Sequence, residues 1–167
     1  MALALLTLAL LQQASSFHDS GSFSQAEPLY RQAITAIETD LGPHHPSLTE
    51  PLNSLASLYF DQGRYARAEK LAARALTLAR TSGSPAQIAR ITANLAATWQ
   101  AQGDLDKAGA LYQEALASMP NLASADAAFL HNNIGLLELA RSRNQAARLS
   151  IEKALGIWRQ TLPDNHP

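Results

Sequence analysis

The sequence predicts an all-α protein built from four antiparallel helix pairs. Three observations lead there. Of 167 residues, 47% are apolar but only 6% aromatic, and alanine and leucine dominate that fraction. Such an interior suits closely packed helices, and the scarcity of β-branched residues argues against a large sheet. Apolar residues recur three and four apart, which is the helical period. The same helix–turn–helix pattern also returns along the chain at offsets of 42 and 40 residues.

The first element, MALALLTLALLQQASS, carries Leu3, Leu5, Leu6, Leu8, Leu10 and Leu11. The run has signal-peptide length, but no Lys or Arg precedes it, and Gln12 and Gln13 end it. It is too short to span a bilayer. It is expected to be a buried helix, because Ala14, Phe17 and Gly21 fit the repeat pattern. GSFSQAEPLYRQAI (21–34) then aligns with GRYARAEKLAARAL (63–76). Gly21 matches Gly63, Phe23 matches Tyr65, and Ala26-Glu27 matches Ala68-Glu69. GDLDKAGALYQEAL (103–116) follows with Gly103, Leu105, Ala108 and Ala115. SRNQAARLSIEKAL (142–155) is a worn copy that keeps Ala147 and Ala154-Leu155. It has Ser142 in the glycine place and Asn144 in the aromatic place.

A partner helix precedes each copy. In LNSLASLYFDQG, TANLAATWQAQG and HNNIGLLELARS, a large residue (Leu55, Leu95, Ile134) is followed by a small one (Ala56, Ala96, Gly135). An aromatic follows three later in two of them, Tyr59 and Trp99. The central glycine can take the left-handed conformation that ends a helix. The small residues let helix backbones approach, and the aromatics fill the space that remains. Repeats are expected at about 3–42, 47–82, 85–120 and 124–162, within one domain over 1–167 that is either whole or a piece of a longer array.

These residues resemble the tetratricopeptide repeat (TPR) family. Leu55, Ala56, Tyr59, Gly63, Tyr65, Ala68 and Ala75 carry the likeness in one copy. Leu95, Ala96, Trp99, Gly103, Ala108, Tyr112, Ala115 and Pro120 carry it in the next. Repeats longer than the usual 34 residues, joined by LGPHHPSL, look like the kinesin-light-chain branch. The resemblance implies a right-handed α-solenoid that acts as a protein–protein interaction scaffold. In the family, the first helices line a groove whose asparagines hold a peptide backbone. Carried over, this nominates Asn53, Asn94, Asn132 and Asn133, with Glu50, Ser57, Phe60, Arg90, Gln100 and Phe129 beside them. An amide both donates and accepts, as a peptide bond does. Arg90 is the one clear cation in these first helices, so a clamp for a terminal carboxylate is not expected.

His44 and His45 lie between Pro43 and Pro46, and His166-Pro167 repeats the motif at the end of the last unit, with Leu162 and Pro163 ahead of it. Proline blocks helix continuation there and disfavours helix in the residue before it. The motif therefore reads as a connector, because a structural zinc site needs about four converging ligands. No cysteine is present, which excludes disulfides and thiolate sites. No nucleophile elbow or phosphate loop exists, so no cofactor and no catalysis are expected. His18-Asp19 reads as a solvated pair, since helix neighbours face different ways, and Glu38, Asp40 and Glu50 read as ordinary surface charges. Arg64, Arg67, Lys70 and Arg74 form a basic stripe. A contact with phosphate or an acidic peptide is one reading. A solvated outer face is the preferred one, because the net charge of −1 makes no nucleic-acid footprint.

The last helix carries Ile151, Leu155, Ile157 and Trp158, with Trp158 expected to pack on a further unit or a second copy. Partners are therefore a protein or peptide in the groove, with self-assembly, or service as the sensor arm of a larger protein, as alternatives. A cytoplasmic location is expected, with an exported form left open by the N-terminal run.

Overall fold

A computed structural model describes residues 2–161. Eight α-helices account for most of them: α1 (Ala2–Asp19), α2 (Phe23–Leu41), α3 (Thr49–Asp61), α4 (Tyr65–Ser82), α5 (Pro85–Ala101), α6 (Leu105–Ser118), α7 (Ala125–Ala140) and α8 (Asn144–Thr161). A short 3-10 turn, Pro46–Leu48, precedes α3. No strand occurs among the described residues. The expected second connector at 162–167 lies outside them. The chain forms two compact units, Met1–Ser84 and Pro85–Pro167.

Each helix pair closes on the same turn. Gly21, Gly63 and Gly103 have φ of +74°, +72° and +88°. At the second turn, the Gly63 N–H donates to Phe60 O and the Arg64 N–H to Tyr59 O. This is the Schellman pattern, which satisfies the last carbonyls of α3. Ser142 takes the same conformation at φ +60°, with the Arg143 N–H donating to Glu138 O. The left-handed state costs a non-glycine residue about 1–2 kcal/mol. The worn fourth copy therefore keeps the turn geometry without its glycine.

In the N-terminal unit, α1 packs on α2, α2 on α3, and α3 on α4. Ala14, Ala26, Ala56 and Ala68 are buried among Leu10, Tyr30, Leu52, Leu55 and Tyr59. Thr7, Leu10 and Ala14 form the buried face of α1, while Leu5, Leu6 and Leu8 are exposed. The LGPHHPSL linker is tied down at both ends. The His45 ring Nδ1 accepts the Ser47 N–H at 3.2 Å and so caps the 3-10 turn. Leu48 is fully buried, and Arg74 on α4 donates to Pro43 O at 2.7 Å.

The C-terminal unit repeats the design with α5–α8. Ala96, Ala108, Tyr112, Ala115, Leu130, Ile134 and Leu137 form its core, with Trp99 and Leu105 packed against them. Burial pushes the Tyr112 hydroxyl up to about 12. Gly135 is small for a direct reason: a Cβ there would lie 2.6 Å from Ile151 Cγ1. Ala147 and Ala154 are the buried residues of α8.

Candidate peptide-binding surface

Residues of α5 and α7, with Met119 just past α6, enclose a cleft of about 130 Å3 in the C-terminal unit. Arg90 and Asn94 come from α5, and Phe129 and Asn133 from α7. A spacing of four residues puts each pair on one helix face. Ala89, Ala93 and Leu130 supply apolar walls. Ala86, Asp126 and Met119 complete the lining, and none of the three was nominated from the sequence. Asp126 was legible, because it precedes Leu130 and Asn133 at helical spacing. Met119 was not, because it reaches the cleft only through packing between pairs.

The remaining nominated residues are placed elsewhere. Asn132 is half-buried but outside the cleft lining. Gln100 accepts the Tyr112 hydroxyl at 3.1 Å, which ties α5 to α6. Phe60 packs against Tyr65 across the turn, with ring centroids 5.5 Å apart. Glu50 is exposed and Ser57 half-buried on α3. Asn53 is only 3% exposed. It corrects the asparagine ladder. Counted from the turn residues 63, 103 and 142, Asn94 and Asn133 align with Ser54, not Asn53. One residue is about 100° of helix rotation, enough to carry a side chain from groove to core.

The basic stripe is corrected in part: Arg64 and Arg74 pair with acids of α2, while Arg67 and Lys70 are exposed as expected. Arg64 Nη1 lies 2.8 Å from Glu27 Oε2, and Arg74 Nη2 lies 2.7 Å from Glu38 Oε1. Glu27 Oε1 accepts from the Tyr59 hydroxyl at 2.7 Å and from Arg31 Nε at 3.0 Å. The Arg64 guanidinium stacks 4.3 Å from the Tyr59 ring centroid. Burial alone would raise the Glu27 pKa, but hydrogen bonds from Tyr59, Arg64 and Arg31 outweigh it and hold it below its ordinary value. Glu38 is therefore a partner in an ion pair and not an ordinary surface charge.

His18 departs from the solvated-pair expectation too. Its Nε2 lies 2.7 Å from Asp61 Oδ2 at the end of α3, and its ring meets Phe23 and Tyr30 edge-on. Trp158 packs edge-on against Phe129, with centroids 5.3 Å apart, so α8 backs the aromatic wall of the cleft. Among the described residues, no three His, Asp or Glu side chains gather where they could hold a metal ion. None of the described helices is long and apolar enough to cross a membrane.

The family model of the MalT-like TPR region matches residues 2–166. The chain belongs to that family. Solved TPR structures share its fold. BtubC (BKLC) from P. vanneervenii is 25% identical, with a TM-score of 0.83 over 99% of this chain and 67% of its own. A putative kinesin light chain with nearly identical TPR-like repeats, from Podosopora anserina, is 20% identical, with a TM-score of 0.77 over 95% of this chain and 78% of its own. MamA is 18% identical, with a TM-score of 0.67 over 92% and 79%. No curated protein matches the sequence. The expected long-repeat, kinesin-light-chain-like TPR architecture is therefore present. TPR repeats of this kind are protein-interaction folds.

Proposed function

We propose that this TPR region is a non-catalytic scaffold that holds a peptide or helix of a partner protein in the cleft between α5 and α7. The supporting observation is the lining itself. Asn94 and Asn133 stand on facing helices beside Ala89, Ala93, Leu130 and Phe129, with Arg90 and Asp126 adding opposite charges. Amides suit a peptide backbone, the apolar walls suit one anchor side chain, and the charges select its neighbours. A few groove hydrogen bonds at about 0.5–1.5 kcal/mol each, plus an anchor, give roughly micromolar affinity, about 8 kcal/mol.

Panning a displayed random-peptide library on the whole chain tests this reading. Enriched peptides are expected to bind at least tenfold more weakly to an Asn94→Ala/Asn133→Ala variant with unchanged circular dichroism. Peptides that bind both proteins equally would overturn it.

One observation favours a second reading, self-assembly. Leu5, Leu6 and Leu8 on α1 are 51–63% exposed, and Leu149 and Leu155 on α8 are exposed as well. Light scattering across a hundredfold concentration range decides it. A rising mass that Leu5→Glu/Leu8→Glu abolishes supports self-association, and a constant monomer mass removes it.

A further inference from the structure

A second pocket, in the N-terminal unit, has no part in the peptide reading. It lies among α2, α3 and α4 and encloses about 240 Å3. Leu55, Tyr59 and Leu71 form its apolar walls, while Arg31, Arg67 and Lys70 bring three cations. No carboxylate belongs to its lining. Glu27, on α2, has both oxygens already bonded to Arg31, Tyr59 and Arg64. One carboxylate therefore faces two guanidinium groups before Arg67 and Lys70 are counted. The Arg67 guanidinium stands 5.8 Å from the Tyr59 ring centroid, against the aromatic wall. Arg31 Nη2 donates to the Tyr59 hydroxyl at 2.7 Å, which holds that ring in place.

We propose that this pocket binds a small amphiphilic anion. Its alkyl or aryl body lies on Leu55, Leu71 and the Tyr59 ring, and its carboxylate lies between Arg67 and Lys70. Three apolar walls beside three cations suit a molecule with one apolar and one anionic part. An uncharged apolar molecule would fill the walls but leave the cations unneutralised. A simple anion such as acetate would do the reverse. Binding needs both parts.

Octanoate is the test probe, with octanol and acetate as controls, titrated into the full chain and followed by NMR. The Leu55 and Leu71 methyls and the Tyr59 ring are expected to shift with octanoate along a saturating curve. Octanol and acetate are each expected to bind at least tenfold more weakly. An Arg67→Gln/Lys70→Gln variant should lose at least tenfold in octanoate affinity. Both side chains are exposed, so its circular dichroism should stay unchanged. Asn94→Ala/Asn133→Ala should bind octanoate as the parent does, which keeps this site separate from the cleft of the other unit. The proposal is overturned if octanol matches octanoate, if the double glutamine variant binds equally well, or if the shifts fall elsewhere.

Discussion

The two units join their helix pairs with the same kind of ion cluster, but the acid comes from opposite sides. In the N-terminal unit it is Glu27 on α2, which reaches Tyr59 and Arg64 of the next pair. In the C-terminal unit it is Glu138 on α7. Its Oε1 lies 2.9 Å from Arg141 Nη1 and its Oε2 lies 3.4 Å from Arg143 Nη1. Counted from the turns, Glu138 stands where Tyr59 does, Arg143 where Arg64 does, and Arg141 where Gln62 does. The place of Glu27 is taken by Gly109. That glycine leaves room for the swap, because a Cβ there would lie 2.7 Å from Arg141 Nη2, the end of a long side chain that would have to shift. The guanidinium fills the vacated space and donates to Leu105 O at 2.7 Å and Asp106 Oδ1 at 3.1 Å. A junction between pairs thus needs an acid among cations, with shape matched across both helices. It does not need the acid at one position in the repeat.

Removing each acid should give the largest effects. Glu27→Ala strips partners from Tyr59, Arg31 and Arg64 and should cost about 3 kcal/mol. Glu138→Ala should cost about 2 kcal/mol, because Arg141, only 17% exposed, keeps its bonds to Leu105 and Asp106. Urea midpoints at pH 7 measure both. Equal small losses would mean the clusters are ornamental surface pairs.

Transplanting one junction into the other sharpens the comparison. Gly109→Glu alone crowds Arg141 and sets two carboxylates together, for a loss of about 2 kcal/mol. Adding Glu138→Tyr and Arg141→Gln restores the Glu–Tyr–Arg part of the N-terminal arrangement around Arg143, with Gln113 in the place of Arg31. At least about 1 kcal/mol should return, within the coupling range for touching residues. Strict additivity across the set would refute the idea of a correlated swap.

Backbone substitutions should act more weakly and with opposite signs. Gly135→Ala meets Ile151 at 2.6 Å and should cost about 1–2 kcal/mol even after its gain in helix propensity. Gly156→Ala meets nothing within 4 Å and should stabilise α8 by about 0.5–1 kcal/mol. Ser142→Gly relieves the left-handed strain by about 1 kcal/mol. Thermal melts of the three variants should fall on the two sides of the parent.

Acid should act on the two units in different windows. His131, on α7, has a pKa below the ordinary 6.5 because of burial and the nearby Lys153 charge. The unfolded chain therefore takes up that proton first, and stability begins to fall as pH drops through 6.5. Glu27 has a pKa held below 4.5, so its contribution is complete above that value and is lost as pH falls through the folded-state pKa. His131→Gln should flatten the upper step and leave the lower one, as read from stability at half-unit pH intervals.

Much of the fold was legible, and part of the site. Gly21, Gly63 and Gly103 announced their turns because a left-handed residue is a local requirement. Ser142 was placed by alignment alone and met the same requirement under strain. Arg90, Asn94, Phe129 and Asn133 were nominated and share the cleft. Asn53 is buried and stands one residue off the register of Asn94 and Asn133, a shift that matching by residue type does not reveal. The basic stripe was recognised as a stripe, but its partners on α2 were not.

By itself the sequence determined helix period, turn positions, the small residues at crossings and the absence of thiol chemistry. These depend on the chain within one repeat, where backbone geometry and composition suffice. Which side chains meet between repeats was decided only in three dimensions. A contact there depends on the rotation of two helices at once: Glu27 sits far along the chain from Tyr59 and Arg64, and Gly109 from Arg141. The ion clusters, the apolar pocket with its cationic edge, and the burial of Asn53 all belong to that second kind, because each arises from packing and not from period.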